Sequence, residues 1–364
     1  MRIKELTAAL EAWAPRSLQE DYDNSGLQVG DPETEVASAL VCLDCTEAVV
    51  EEAARLGCGL IISHHPVIFR GLKSLSGGGY VERTVLAAIR HNIALYAIHT
   101  NLDNVYSGVN AEIAARLGLQ DTRVLAPKAG QLRKLVVYVP VDHADGVRNA
   151  VFAAGAGHIG NYDECSFTVC GMGTFRAGPG STPFVGVQGQ RELVSEFRLE
   201  FIVPVAIERA VLAAMRAAHP YEEVAYDLVP LANEHPGVGA GMVGELPEAL
   251  AEEAFLARVK EVFGLQVVRH TRLLGRTVLR VAICGGSGAF LIGRAKAAGA
   301  DMYLTGDVKY HEFFDADGRL VVADIGHYGS EQYTMHLIQR RLRELFPTFA
   351  VRLTETVTDP IHHS

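Results

Sequence analysis

The chain has 364 residues, of which 49% are hydrophobic and 21% are charged, and its formal net charge is -10 with histidine counted as neutral. This length favours about two domains, and the composition is that of a globular protein able to bury a large core. The acidic balance argues against nucleic acid as a partner, because duplex binding depends on lysine and arginine neutralising phosphates. A small phosphorylated ligand is not excluded, since a bound cation can reverse the local field.

The amino-terminal segment MRIKELTAALEAWAP has spaced apolar residues, which predicts an amphipathic helix and not a secretory signal. No stretch reaches about 18 uninterrupted apolar residues, so we expect no membrane span and no membrane partner. Six cysteines in a chain of this length do not indicate a disulfide framework. A reducing, cytoplasmic location fits these features best.

Residues 36–125 alternate strand-like and helix-like patterns. Three apolar runs predict strands, and they are VASALVCLDCT, GLIISHHPVIF and ALYAIHTNLDN. Segments with helical spacing follow them, and they are EAVVEEAARLGC, VERTVLAAIRHNI and VNAEIAARLGL. Continuous apolar strands that alternate with helices indicate a sheet covered on both faces. In such folds ligands bind beyond the carboxyl ends of the strands.

The pattern changes near residues 127–134. The next segments read strand, helix, strand, a loop rich in glycine and proline, strand, helix and strand, which is the split βαβ order. The α/β rhythm returns after about residue 243. We therefore predict an α/β domain formed by residues 1–127 and 233–364, with a mixed sheet covered by helices, and an inserted ferredoxin-like α+β domain at 128–232.

Polar groups able to hold a cation follow several predicted strands of the α/β domain: Asp44, His64, His65, His99, Asp103, Asp324, His327 and Glu331. His327 and Glu331 are four residues apart at a predicted helix start, so they share one face of that helix. Imidazole and carboxylate ligands suit Zn, Mn, Fe, Co or Ni without choosing among them. Five or six ligands exceed what one catalytic zinc usually takes from a protein, so a pair of metals is an alternative to one.

Ordinary structural explanations exist for each of these residues alone. An adjacent histidine pair is often incidental, and an aspartate at a strand end is often a helix cap. Adjacent side chains of a strand point in opposite directions, so His64 and His65 can share a ligand only if the backbone turns there. Pro66 is consistent with such a turn. The combined set at the strand ends is harder to explain by chance.

Other motifs carry weaker signals. Cys42 and Cys45 form a CxxC pair within a strand pattern, which favours core packing over a redox site. The CGGSG segment at 284–288 could cradle a phosphate on backbone N–H groups, and a tight strand-to-helix turn explains it equally well. Asp307, Lys309 and His311 lie near another strand end. The HPYEE segment at 219–223 is either a loop or a second polar site.

Five segments in chain order resemble the motifs of the Nif3-like family whose bacterial members are labelled GTP cyclohydrolase 1 type 2 homologue. They are DNSGLQVG, SHHPVIF, IHTNLDN, TGDVKYHEF and DIGHYGSE. The segments NYDECSFTVCGMGTFRAGPGS and HPYEEVAYDL resemble the insert of the longer members. The resemblance covers nearly the whole chain. It implies two divalent cations per subunit, a toroidal homohexamer and an insert similar to the CutA or PII-like fold.

Carried over onto this sequence, the resemblance implies five metal ligands with Glu331 as a bridge: His64, His65, Asp103, His327 and Glu331. The function that we predict is a metal-dependent hydrolase of a nucleotide or another phosphorylated small molecule. The candidate catalytic groups are His99, Lys309 and His311, and the candidates that support the ligands are Asp44, His99 and Thr305. The alternative is a non-enzymatic metal-binding or regulatory scaffold that forms a hexamer.

Overall fold

The computed structural model describes residues 1–362 and divides into two compact units. The main unit contains Met1–Pro127 and the chain from Pro236 onward, and the inserted unit is Lys128–His235. The main unit is therefore built from two stretches that are far apart in sequence. No helix among residues 1–362 combines the length and the apolar character needed to cross a membrane.

The first stretch of the main unit supplies five strands and five helices. Its strands are β1 (Gly26–Val29), β2 (Ser38–Cys42), β3 (Leu60–Ser63), β4 (Ala94–Ala97) and β5 (Gln120–Pro127). Its helices are α1 (Ile3–Trp13), α2 (Glu47–Arg55), α3 (Tyr80–Arg90), α4 (Thr100–Asp103) and α5 (Val109–Leu117). The inserted unit then contains β6 (Leu132–Pro140), α6 (Ala144–Ala153), β7 (Ser166–Arg176), β8 (Arg191–Pro204), α7 (Glu208–Ala218) and β9 (Tyr226–Pro230).

The second stretch completes the main unit. Its strands are β10 (Gly239–Ala251), β11 (Arg269–His270), β12 (Thr277–Ser287), β13 (Met302–Gly306), β14 (Val321–Asp324) and β15 (Ala350–Leu353). Its helices are α8 (Glu252–Phe263), α9 (Ile292–Ala297), α10 (His327–Glu331) and α11 (Thr334–Leu345).

The strands of the main unit form two mixed sheets. The first has the order β1-β4-β3-β2-β15, in which only the edge strand β1 is antiparallel to its neighbour. The second has the order β11-β14-β13-β12-β10-β5, in which β12, β13 and β14 are parallel. The prediction of an α/β unit is confirmed. The prediction of one mixed sheet is wrong, because the strands of this unit form two sheets. Sequence patterns identify strands, but they do not show that β15 pairs with β2 and that β10 pairs with both β5 and β12.

Alternate residues of the central strands bury both faces of each sheet. On one face, Val41, Ile62, Ile283 and Leu304 belong to a core that both sheets share. On the opposite faces, Leu40 and Ile61 of the first sheet pack in a core with α2 and α3, and the second sheet packs against α9. Each fully buried leucine or isoleucine contributes about 1.5–3 kcal/mol to folding. The shared core therefore fixes the two sheets against each other.

The inserted unit has one antiparallel sheet of order β7-β8-β6-β9. Residues of β6 and β8 pack on α6 and α7 around a separate apolar core, which includes Leu135, Val137, Leu199, Phe201 and Val211. The outermost strand β7 is largely exposed. This unit therefore has a core of its own.

Candidate metal centre

The five predicted ligands follow strands of both sheets. His64 and His65 come directly after β3, where the backbone bends. Their N–H groups still donate to the carbonyl groups of Cys42 and Leu43, so the first sheet continues to hold this bend. Because the strand has ended there, both imidazoles can turn toward the same side. Asp103 ends the short helix α4 after β4, and His327 and Glu331 begin and end α10 after β14.

Glu331 lies at the centre of the cluster, and each of its two carboxylate oxygens faces a different pair of ligand atoms. Its Oε1 is 3.9 Å from His64 Nε2, which is itself 3.6 Å from Asp103 Oδ1. Its Oε2 is 3.0 Å from His65 Nε2 and 3.1 Å from His327 Nε2. We call His64 and Asp103 the inner half and His65 and His327 the outer half. Both triads that include Glu331, and a third that joins His64 and His65 to His99, could hold a metal ion.

Each histidine of the cluster is held through its Nδ1 atom. His64 Nδ1 donates to the carbonyl oxygen of Ile98 over 2.8 Å. The other three imidazoles each have Nδ1 2.7 Å from a carboxylate, in the pairs His65–Asp44, His99–Asp23 and His327–Asp307. An Nδ1–H donor leaves the lone pair of Nε2 free, and this is the arrangement by which proteins orient histidine ligands toward a metal.

The donor set fits a cation. His64 Nε2 and Asp103 Oδ1 are buried atoms with no hydrogen-bond partner among the described residues. Buried polar atoms are normally paired, so orphans of this kind need an explanation. His65 Nε2 lies 3.3 Å from His327 Nε2, and two lone pairs at that distance repel unless a proton or a cation lies between or beside them. Imidazole and carboxylate groups are the ligands that first-row divalent metals take.

The histidines and carboxylates of the cluster shift one another's pKa values. Burial lowers the pKa of His65, but hydrogen bonds with Asp44 and Glu331 outweigh it and raise that pKa to about 10. Burial lowers the pKa of His327 as well. Contacts with Glu331 and Asp307 outweigh burial and raise that pKa to about 9. Burial would raise the pKa of Glu331, yet its histidine neighbours hold that pKa well below the usual range. Burial and the charge of Glu331 raise the pKa of Asp103.

Gly286 explains why the CGGSG segment is rich in glycine. Its φ is +63°, and a Cβ atom there would lie 2.4 Å from Glu331 Oε1. Its N–H donates to Ser330 Oγ over 3.0 Å. The turn after β12 therefore packs directly against the carboxylate at the centre of the cluster. Any larger residue at 286 would displace Glu331 as well as strain the backbone.

A cavity of about 890 Å³ opens onto the cluster. Three exposed aromatic side chains line it, namely Tyr22 (65% exposed), Phe69 (44%) and Phe290 (70%). Its carboxylates are Glu20, Asp44, Asp103, Asp307, Glu331 and Asp359. Among the described residues that line the cavity there is no lysine or arginine. Positive charge for a strongly anionic group therefore has to come from the imidazoles of the cluster or from a cation that they bind.

Several other residues that the sequence offered as catalytic, ligand or supporting candidates lie outside the cluster. Lys309 and His311 are exposed and do not line the cavity. Thr305 is fully buried and donates to the carbonyl oxygen of Gly286 over 3.1 Å, so it supports the glycine turn and not a ligand. Asp324 accepts hydrogen bonds from the N–H groups of Val308 and Gly326, which fixes the loops beside α10. Asp44 and His99, in contrast, lie in the cluster.

Asp23 is the supporting residue that sequence reasoning missed. The antiparallel pairing of β1 with β4 aligns Gly26 with Ala97 and brings the preceding loop to His99. There the buried Asp23 carboxylate accepts from His99 Nδ1, from the N–H and hydroxyl groups of Thr100 and from Ser25 Oγ. Burial would raise the pKa of Asp23, but these donors lower it. Only the polar DNSG motif signalled this role.

We expect Asp23→Asn to destabilise the protein by about 1.5–3 kcal/mol, because an amide cannot replace a charged acceptor of several hydrogen bonds. Urea unfolding measures the change. Asp31→Asn is the matched control, since Asp31 is exposed and accepts one hydrogen bond of 2.9 Å from the N–H of Glu33. Equal losses in the two variants would contradict the role given to Asp23.

Comparisons with known proteins identify the family of this chain. The family model Duf34/NIF3 (NGG1p interacting factor 3) matches residues 1–360. A relative from Halalkalibacterium halodurans, named GTP cyclohydrolase 1 type 2 homolog, is 42% identical over 97% of this chain and 95% of its own length. One of the same name from Bacillus subtilis is 39% identical over 98% of this chain and 97% of its own.

Solved structures show the same similarity. A Bacillus cereus protein related to NIF3 is 39% identical, with a TM-score of 0.86 and coverage of 100% of this chain and 99% of its own. The Staphylococcus aureus protein SA1388 is 30% identical, with a TM-score of 0.79 and the same coverage of both chains. The resemblance drawn from the sequence motifs is confirmed, and the chain belongs to the Duf34/NIF3 family.

Proposed function

We propose that the protein is a dinuclear metal-dependent hydrolase. Two divalent cations would be held by His64, His65, Asp103, His327 and Glu331. The observation that carries the proposal is the position of Glu331, whose two oxygens face two different pairs of ligand atoms. The two triads that contain Glu331 and could hold a metal ion share only that residue, so Glu331 would be the ligand common to both cations.

Cations bound there would supply Lewis acidity and lower the pKa of a water molecule. The chain's own residues supply orientation. Asp44, Asp307 and the Ile98 carbonyl fix three ligand imidazoles, and Asp23 fixes His99 with its Nε2 directed at the cluster. His99 Nε2 can therefore accept a hydrogen bond from a water or from a substrate hydroxyl. This geometry supports His99, rather than Lys309 or His311, as the candidate catalytic group.

The cavity supports a nucleotide or a similar phosphorylated small molecule as the class of substrate. Aromatic side chains favour offset or edge-to-face contact with planar rings, and Tyr22, Phe69 and Phe290 offer such surfaces. Tyr22 and Phe69 have ring centroids 6.1 Å apart, and Phe69 lies 6.0 Å from the His99 ring. A planar base at the Phe69 ring would therefore lie close to His99, at the edge of the cluster. The name of the relatives, which refers to GTP, is in line with this substrate class.

Turnover by metal-loaded protein tests the proposal. The purified chain is loaded in separate samples with Mn, Zn, Fe, Co and Ni and incubated with nucleotides, phosphomonoesters and phosphodiesters. We expect hydrolysis of at least one class, lost after chelation and restored by metal. A fully loaded protein that hydrolyses none of them would overturn the hydrolase and leave a metal-binding scaffold.

The inserted unit is, within the same proposal, a ferredoxin-like domain. Its element order β6-α6-β7-β8-α7-β9 and its sheet order β7-β8-β6-β9 support this assignment. The toroidal homohexamer implied by the family resemblance stays a prediction.

A further inference from the structure

The segment that follows β15, Thr354–Ile361, runs along the main unit and is named here the C-terminal strap. It begins beside β2, where the N–H of Thr354 donates to the carbonyl oxygen of Val41 over 3.0 Å. Its last three residues, Asp359, Pro360 and Ile361, line the cavity. The strap therefore connects the edge of the first sheet to the candidate metal centre.

Glu52 on α2 fastens the strap. This side chain is buried, with 5% of the residue exposed. Its carboxylate accepts from the N–H of Glu355 over 2.8 Å and from the hydroxyl of Thr356 over 2.7 Å, and it also accepts from the Thr354 hydroxyl and the Thr356 N–H. Burial alone would raise the pKa of Glu52. The hydrogen-bond donors outweigh burial, so the pKa lies below its usual value. A buried carboxylate is costly unless it is hydrogen-bonded, so Glu52 favours the docked strap.

Thr358 then joins the strap to the metal centre. Its hydroxyl donates to Asp44 Oδ2 over 2.9 Å. The other oxygen of Asp44 accepts from His65 Nδ1 over 2.7 Å. Among the hydrogen bonds of residues 1–362, Thr358 is the only donor to Oδ2 of Asp44. Since Asp44 is 36% exposed, its orientation depends on these two contacts.

We propose that the C-terminal strap stabilises metal binding at the metal centre and that Thr358 is a positioning residue. It orients Asp44, and Asp44 orients His65 in the outer half of the cluster. The inference rests on the proposed metal site but not on hydrolysis. Loss of the Thr358 hydroxyl removes the donor that holds Asp44 Oδ2, so Asp44 orients His65 less firmly. This weaker orientation speeds the release of a cation from the outer half.

Release of zinc to a chelator tests this proposal without any turnover. Zn²⁺-loaded parent and variants are mixed with excess chelator, and the release rate is followed. We expect Thr358→Val to release zinc faster by up to about tenfold, since direct partners of a metal ligand typically change affinity 10–100-fold and Thr358 acts one contact further away. Thr358→Ser, which keeps the hydroxyl, should release zinc near the parent rate. Glu52→Gln should speed release by loosening the strap.

Thr122→Val is the matched control, because the Thr122 hydroxyl contacts Tyr106 and does not line the cavity. Circular dichroism confirms that each variant is folded. A folded Thr358→Val protein that releases zinc at the parent rate, while the parent itself holds zinc, would overturn the strap proposal and leave the proposed function standing. Parent protein that takes up no zinc or other divalent metal would overturn both.

Discussion

Glu331→Gln is expected to lower the affinity for divalent metal by at least about a hundredfold in both halves of the cluster. The estimate follows because removal of a residue that only orients a ligand already costs 10–100-fold, and Glu331 would bind the metals directly. The amide has nearly the same shape as the carboxylate but carries no charge. It would also direct an N–H donor toward His64 or toward His65 and His327, where a ligand oxygen now lies.

Metal content after loading, measured by mass spectrometry, gives the result. The variant has to be checked for folding, because Glu331 is 2% exposed and removing one member of a buried charge pair costs about 3–5 kcal/mol. Glu51→Gln serves as the control, since Glu51 is a surface carboxylate that pairs with His91. Folded Glu331→Gln protein that still carries the parent's metal load would exclude Glu331 as a bridge.

The elements that position this cluster were predictable because their signals are local. Buried strands alternate with helices in the sequence, and polar residues that follow such strands collect at one edge of a sheet. His327 and Glu331 share a helical face by spacing alone. His64 and His65 can face the same site only if the backbone turns at the end of the strand, and the structure has a bend there.

The rest depends on contacts that are distant in the chain. Asp23 reaches His99 through a strand pairing 76 residues away, and Thr358 reaches Asp44 across 314 residues. No spacing rule links such partners, because tertiary packing alone brings them together. The same reason explains the second sheet of the main unit: periodicity reveals a strand, but its neighbour is chosen by the whole fold.

Separating the two halves of the cluster is the sharper test of a metal pair. Asp103 contacts His64 in the inner half, and His327 contacts His65 in the outer half. Asp103→Asn should therefore lose the inner cation and keep the outer one, and His327→Ala should do the reverse. We expect each variant to retain about one cation per chain where the parent holds about two.

The metal-to-protein ratio of the two variants and of their double variant measures this independence. His91→Ala is the control for removal of a histidine, because His91 is exposed and, among the described residues, its side chain pairs only with the surface residue Glu51. If both single variants lose all metal, the five ligands hold one cooperative site, since neither half then survives alone. If the halves separate, the activity of the half-loaded variants shows which cation the chemistry needs. Asp44 and Thr358 act through His65, so they support only the outer cation.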